Sequence, residues 1–117
     1  ILKPIVDKYE GNLGLSSIGL VSGATFKKQA IELRNLLPNS PFLIPGYGAQ
    51  GASAADAVAP LIHDSTIPGL RNFGLINASR SVSFPENSYS AKNIDDWKNI
   101  IQNKIKDTNI ELTSTIN

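Results

Sequence analysis

Short apolar runs alternate along the chain with longer stretches in which apolar residues recur at helical spacing. The runs are Ser17–Val21, Phe42–Ile44 and Phe73–Ile76. None of them alternates with polar residues, which is typical of parallel strands covered on both faces. The pattern therefore predicts three buried parallel strands, each followed by a helix, in an α/β fold.

Three amphipathic stretches predict the helices. They cover Phe26–Leu37, with Thr25 in position to cap it, then Ser53–Ile62 and Asn93–Lys106. The polar tail after Asp107 is expected to be loosely held. The predicted inner faces repeat every three or four residues: Phe26, Ala30, Leu33 and Leu37 in the first helix, Ala54, Ala55, Val58 and Leu61 in the second, and Ile94, Trp97, Ile101 and Ile105 in the third.

Three strand–helix units are too few to close a sheet. A complete eight-unit barrel needs about 250 residues, whereas the chain has 117. Alone it would leave two open strand edges and an uncovered inner face. We therefore expect the rest of a barrel, or a partner, to complete it, and a small independent α/β sandwich is the alternative. The sequence contains no methionine, which favours the expectation that residue 1 is internal to a longer protein.

Composition narrows the classes of function. With 11 basic and 10 acidic residues the net charge is +1, so no nucleic-acid or membrane-surface partner is indicated. Cysteine is absent, which excludes a disulfide framework, a cysteine-ligated zinc and a thiol nucleophile. No run of about 18 apolar residues predicts a membrane span, and the first residues do not resemble a signal peptide.

Polar and glycine-rich loops follow all three predicted strands, at Ser22–Thr25, Pro45–Gly51 and Asn77–Arg80. Ligands of parallel α/β folds bind at this end of the sheet. Glycine lets backbone N–H groups approach an anion, and the guanidinium of Arg80 is a planar donor fork suited to phosphate. Together with the carboxamide of Gln50, these loops predict a phosphate site, although a surface ion pair is the alternative role for Arg80.

The loop Gly46–Gly51 also fits the dinucleotide fingerprint Gly-x-Gly-x-x-Gly. That fingerprint should be followed by an acidic residue about 20 positions on. Position 71 is Arg71, and Pro45 interrupts the strand-to-turn junction, so a phosphate cradle is favoured. His63, the only histidine, is expected to be a solvated loop residue. Asp95 and Asp96 are expected to complement a helix dipole rather than bind a metal.

At the three loops the sequence resembles the orotidine 5′-phosphate decarboxylase family. The resemblance covers roughly residues 17–82, and the second loop is its most specific part. The matching stretches are Gly19-Leu-Val-Ser-Gly-Ala-Thr25, Pro41-Phe-Leu-Ile-Pro-Gly-Tyr-Gly-Ala-Gln-Gly51 and Gly74-Leu-Ile-Asn-Ala-Ser-Arg80.

The resemblance implies a (β/α)₈ TIM barrel of which the chain supplies about the last three βα units. Residues 1–16 would be a preceding helix or loop, 17–82 strands six to eight with the phosphate site, and 83–117 the terminal helix and tail. It further implies a lid from Gly46 to about Ser53 that closes on the phosphate. The implied substrate-binding residues are Pro45 and Gly46 on the pyrimidine side, and Gln50, Gly51, Ser79 and Arg80 at the phosphate.

The resemblance implies no cofactor and no metal, a substrate of orotidine 5′-phosphate with uridine 5′-monophosphate (UMP) as product, a homodimer of complete barrels and a cytoplasmic location. The family's catalytic Lys and Asp array includes an Asp-x-Lys-x-x-Asp motif, which does not occur in this chain. No catalytic residue is therefore expected here. The amino-terminal part of the barrel, on the same or a separate chain, would supply it.

Two other functions stay open at this point. One is a non-catalytic module that binds a nucleotide phosphate or assists assembly. The other is a different phosphate-binding barrel enzyme that acts on a sugar phosphate, against which the Gly-Ala-Gln-Gly sequence of the second loop argues.

Overall fold

The structure, a computed structural model, describes residues 1–61 and 73–116. The predicted loop around His63 and the end of the helix predicted to reach Ile62 lie outside the described residues. Two short 3₁₀ turns, Ala24–Phe26 and Glu86–Ser90, accompany the main elements. In chain order these are α1 (Lys3–Lys8), β1 (Leu20–Val21), α2 (Lys27–Leu36), β2 (Phe42–Pro45), α3 (Ala54–Val58), β3 (Gly74–Asn77), α4 (Arg80–Ser83) and α5 (Ile94–Ile116).

The three strands form one parallel sheet in the order β1-β2-β3, as the apolar runs predict. Strand β2 lies in the middle, and its residues Phe42 to Pro45 pair in register with Gly74 to Asn77 of β3. Parallel strands need helical crossovers between them, and α2 lies in the first of these connections and α3 in the second.

One face of the sheet is covered by helices and forms the core. Phe42 and Ile44 are almost fully buried there, against a cluster that includes Ala57, Val58 and Leu61. Gly74 is required at this contact, because a Cβ on it would lie 2.7 Å from a methyl carbon of Leu61. Gly74 therefore leaves room on β3 for the side chain of Leu61, which follows α3.

The opposite face of the sheet is open. Val21, Leu43 and Leu75 pair with one another across the three strands, and their side chains are 70%, 40% and 73% exposed. Nothing in the described residues covers this face, so in this chain alone the strands are buried on one face only. The uncovered inner face expected of a partial barrel is present.

A buried arginine ties together the connections at the amino-terminal end of the strands. Arg34, on α2, donates to five backbone carbonyl oxygens and stacks on the ring of Phe42 at 3.8 Å. Burial lowers the pKa of its guanidinium to about 10, so the group is charged at neutral pH. The acceptors are the carbonyl oxygens of Leu37 (3.4 Å), Pro38 (3.0 Å), Ser40 (2.7 Å), Pro60 (2.8 Å) and Phe73 (3.0 Å).

The helix predictions need correction at their ends. Thr25 lies inside a 3₁₀ turn and does not cap α2 through its side chain. Phe26 and Ala55 are exposed, because the first precedes the α-helix and the second faces outward while Ala57 packs inward. The cap of α3 is Ser53, in a reciprocal capping box with Asp56.

The largest error concerns the tail. Helix α5 continues to Ile116, whereas the sequence predicts an end near Lys106. Leu112 and Ile116 pack against the core, so apolar contacts beyond the polar residues hold the last turns. Of the predicted stripe, Trp97 and Ile101 are half-buried, whereas Ile94 and Ile105 are exposed.

Helix α5 is also joined to the loop that follows β2. The buried hydroxyl of Tyr47 donates a hydrogen bond of 2.6 Å to the Glu111 carboxylate. Burial, followed by the hydrogen bond to Glu111 and the repulsion of its charge, raises the pKa of Tyr47 to about 12. The phenol of Tyr47 therefore stays protonated in the folded chain up to a higher pH than that of an ordinary tyrosine.

We expect Arg34→Ala to lower the free energy of unfolding by about 3 kcal/mol or more, because several buried carbonyl groups lose their donor together. Urea unfolding followed through Trp97 fluorescence measures this. Lys28→Ala, on the exposed side of the same helix, is the control and should change stability by less than about 0.5 kcal/mol. Equal effects of the two substitutions would contradict the structural role of Arg34.

The phenol of Tyr47 should lose its proton at a higher pH than that of an ordinary tyrosine. Its folded pKa of about 12 lies above the ordinary value of 10.0, so its contribution to stability is complete below pH 10 and is lost as the pH rises towards 12. The tyrosinate absorbance of the folded chain should contain a component near pH 12 that Tyr47→Phe removes. Tyr89→Phe, at a tyrosine 81% exposed, should leave that component in place, and its persistence in Tyr47→Phe would refute the assignment.

Candidate functional site

The candidate site lies where β2 and β3 end. Pro45, the last residue of β2, pairs with Asn77, the last residue of β3. The loops that follow the two strands are therefore neighbours, and they enclose a cavity of about 130 Å³. Its walls are formed by Pro45, Gly46, Tyr47, Ala49, Gln50, Asn77, Ser79 and Arg80.

The loop from Gly46 to Gly51 depends on glycine at three positions. Gly46, Gly48 and Gly51 have φ angles of +107°, +75° and +93°, a region that side chains with a Cβ avoid. The loop closes on itself, since the Gly48 N–H donates to the Ala52 carbonyl at 3.0 Å and the Gly51 N–H to the Gly48 carbonyl at 2.8 Å. The loop is therefore a compact, internally bonded unit.

Gln50 and Arg80 both line this cavity, from different loops. The carboxamide oxygen of Gln50 lies over the end of β2, 3.7 Å from the point where a Cβ on Gly46 would stand. Arg80 begins α4, the four-residue helix after β3. Both side chains are exposed, so a ligand can reach them from solvent.

The third loop is ordered by its own side chains. The Ser79 hydroxyl donates to the carboxamide oxygen of Asn77 at 2.9 Å, and Ser79 precedes the first residue of α4. Helix α4 is only four residues long, and Ser79 does not cap it through its side chain.

The structure brings together five of the six predicted substrate-binding residues. Pro45, Gly46, Gln50, Ser79 and Arg80 all line the cavity. Gly51 does not, because its N–H is bonded within the loop and it lies outside the lining.

The first polar loop, Ser22–Thr25, touches the second rather than the cavity. Its Ala24 backbone nitrogen and a methyl carbon of Thr25 lie 3.6 and 3.5 Å from the position of a Cβ on Gly46. Its part in the site is to support the end of β2.

Sequence reasoning missed Tyr47, Ala49 and Asn77 as lining residues. The signal for Tyr47 was available: an aromatic residue between two glycines in an otherwise exposed loop needs somewhere to bury its ring. Its partner Glu111 could not be found, because that residue falls in the segment predicted to be a loose tail.

The charge of the cavity suits an anion. Arg80 is the one charged residue among the cavity's lining residues, and the others offer backbone, amide and hydroxyl groups.

Residues 1–61 and 73–116 contain no cluster of three histidine or acidic side chains that could hold a metal. Asp96 instead accepts from the Lys92 N–H at 3.0 Å and donates its own N–H to Asn93 at 2.9 Å, which is the helix-capping role predicted for it.

In the part of the chain that the structure describes, no helix combines the length and apolar character needed to cross a membrane.

Comparison with known proteins gives a consistent result. The chain is 46% identical over 76 residues to the orotidine 5′-phosphate decarboxylase of Clostridium kluyveri, an alignment that covers 65% of the chain and 24% of that protein. The chain thus spans about a quarter of the length of the curated relatives it matches. No model of a known protein family matches it.

Two solved structures resemble the fold. A crystal structure from Toxoplasma gondii that carries the name orotidine-monophosphate-decarboxylase matches with a TM-score of 0.51 and 33% identity, over 74% of this chain and 31% of that one. The structure of Leishmania donovani UMP synthase matches with a TM-score of 0.52 and 28% identity, over 89% of this chain and 21% of that one. With the three matching loops, these likenesses establish that the chain belongs to the orotidine 5′-phosphate decarboxylase family.

Proposed function

We propose that the chain supplies the phosphate-binding end of an orotidine 5′-phosphate decarboxylase. In this proposal β1, β2 and β3 are the last three strands of a (β/α)₈ barrel, and the 5′-phosphate of the substrate occupies the cavity between the loops after β2 and β3. The observation that carries the proposal is that Gln50 and Arg80, on neighbouring strand ends, line one cavity.

The nature of the cavity supports a phosphate rather than a whole nucleotide. Its volume of about 130 Å³ is below the roughly 300–1,000 Å³ of pockets that enclose a drug-sized ligand. A guanidinium and a carboxamide, both among the lining residues of the cavity, provide directional donors for the oxygens of a phosphoryl group. The pyrimidine would then extend past Pro45 and Gly46 towards the missing strands.

Catalysis is assigned to residues outside this chain. The whole protein would convert orotidine 5′-phosphate to UMP and carbon dioxide, as a step of pyrimidine biosynthesis, with a Lys and Asp array on earlier strands. These groups would protonate the carbon that loses carbon dioxide and favour the charge distribution of the transition state. Binding the remote phosphate lowers the barrier by holding the reacting part of the substrate against that array.

The open face of the sheet supports the need for those earlier strands. Val21, Leu43 and Leu75 surround an apolar hollow of about 500 Å³ on a face that a closed barrel would fill with side chains. The curated relatives are about four times as long as the matched segment, which is enough chain for five further units. A homodimer of complete barrels in the cytoplasm completes the proposal.

Binding of UMP by the chain tests the site directly. Arg80→Ala should weaken binding measured by calorimetry about 10- to 100-fold, because a hydrogen bond to a charged group contributes about 1.5–3 kcal/mol. Lys106→Ala, at an exposed cation on α5, is the matched control and should bind as the unmodified chain does. Uridine, which lacks the phosphate, should not distinguish Arg80→Ala from the unmodified chain. Equal UMP affinity with and without Arg80 would remove that residue from the site.

Activity should require both parts of the barrel. The chain should be inactive alone and should decarboxylate orotidine 5′-phosphate when co-expressed with the amino-terminal three quarters of the Clostridium kluyveri relative. Carbon dioxide release measures this, and Arg80→Ala should reduce it. If both pieces fold and associate but release no carbon dioxide while UMP still binds, the non-catalytic module would be the better description.

A further inference from the structure

The loop that carries Gln50 is exposed in its middle and buried near its ends. Gly48, Ala49 and Gln50 are exposed, whereas Tyr47 is only 8% exposed. Tyr47 and Ala52, which are 8% and 6% exposed, hold the loop to the core, and of these two side chains only that of Tyr47 can form a hydrogen bond. Its hydroxyl reaches across to Glu111 of α5, more than sixty positions along the chain, in a hydrogen bond of 2.6 Å.

A cavity of about 210 Å³ lies between the loop, α4 and α5, and Tyr47, Gly48, Ser81 and Glu111 are among its lining residues. The Tyr47–Glu111 hydrogen bond spans one side of this space. Because the Tyr47 side chain passes from the loop to α5 beside this cavity, the bond links the loop directly to the last helix.

A second contact relates the loop to Arg80. A Cβ on Gly48 would stand 2.9 Å from the hydroxyl oxygen of Ser81, so the loop backbone lies against the residue that follows Arg80. Gly48 and Ser81 thus set how closely the two walls of the phosphate cavity approach each other. The hydrogen bonds within the loop make it move as a unit, so a displacement of Tyr47 would carry Gln50 with it.

We propose that Tyr47, through Glu111, is a positioning residue for phosphate binding. It makes no contact with the phosphate in this account. Instead it fixes the loop so that Gln50 faces Arg80, and the affinity for phosphate thereby depends on the last helix of the chain. This inference rests on the proposed function, since it concerns the same cavity.

The test combines a loop measurement with a binding measurement on the full chain. In Tyr47→Phe, amide hydrogen exchange of residues 48–52 should become about tenfold faster without ligand, because one hydrogen bond to a charged group is lost. UMP binding should weaken by about three- to tenfold in the same variant. Tyr89→Phe is the matched control and should change neither quantity.

Substitution of Glu111, the exposed hydrogen-bond partner of Tyr47 on α5, gives a second test. Glu111→Ala should reproduce both effects of Tyr47→Phe, whereas Glu111→Gln keeps an oxygen acceptor and should restore most of the protection and affinity. If Glu111 only stabilised the fold, UMP affinity would not fall in Glu111→Ala and recover in Glu111→Gln. If Tyr47→Phe fails to fold, the two Glu111 variants still decide the question.

The outcomes separate this inference from the proposed function. Unchanged exchange of residues 48–52 in both Tyr47→Phe and Glu111→Ala overturns the inference, as does faster exchange with unchanged UMP affinity. In either case the loss of binding in Arg80→Ala would leave the phosphate site standing. If Arg80→Ala binds UMP normally, the proposed function fails whatever the Tyr47 variants do.

Discussion

The in-register parallel pairing of β2 with β3 is the constraint on which the site depends. It sets Pro45 beside Asn77, so two loops separated by about thirty residues in sequence open side by side. A shift of one residue would turn every side chain of β3 to the other face and would remove Leu75 from the open side. At the opposite end of the same strands, Arg34 bonds the carbonyl groups that precede β2 and β3. The buried guanidinium of Arg34 thus fixes the positions of the strand starts. The register of the strands then fixes the positions of their other ends, where the proposed ligand-binding groups lie.

The two faces of the sheet differ: helices cover one face, and the other is open, as expected for part of a larger fold. The helix-covered face is close-packed, with Gly74 admitting Leu61 and with Ala57 in contact with the core. The open face presents aliphatic side chains aligned across all three strands. An exposed apolar surface of this kind costs free energy in water, so the sequence makes physical sense when further strands cover it. The candidate site lies at the ends of the strands, and none of the residues that line its cavity lines the open apolar face.

The sequence predicted the parts of the fold that depend on local pattern. Continuous apolar runs correctly indicated parallel strands, and the polar loops after them correctly indicated which end of the sheet carries the cavity. The failures occurred where long-range packing decides the outcome. Phe26 has the right spacing for a helix face but precedes the helix, and the residues after Asp107 look polar although Leu112 and Ile116 reach the core. Arg34 resembles a solvated helix residue in sequence, because two of its five carbonyl acceptors, those of Pro60 and Phe73, belong to segments that only the tertiary fold brings to it.

In the proposed phosphate cavity, the two polar side chains are positioned separately. The register of the strands positions Arg80, and a glycine-rich loop bonded to α5 positions Gln50. The most direct test is a crystal structure of the full chain with uridine 5′-monophosphate. The phosphate is expected in the cavity between the loops after β2 and β3, within hydrogen-bond distance of both the Gln50 carboxamide and the Arg80 guanidinium. A nucleotide bound elsewhere, or bound there with either side chain turned away from the phosphate, would contradict it.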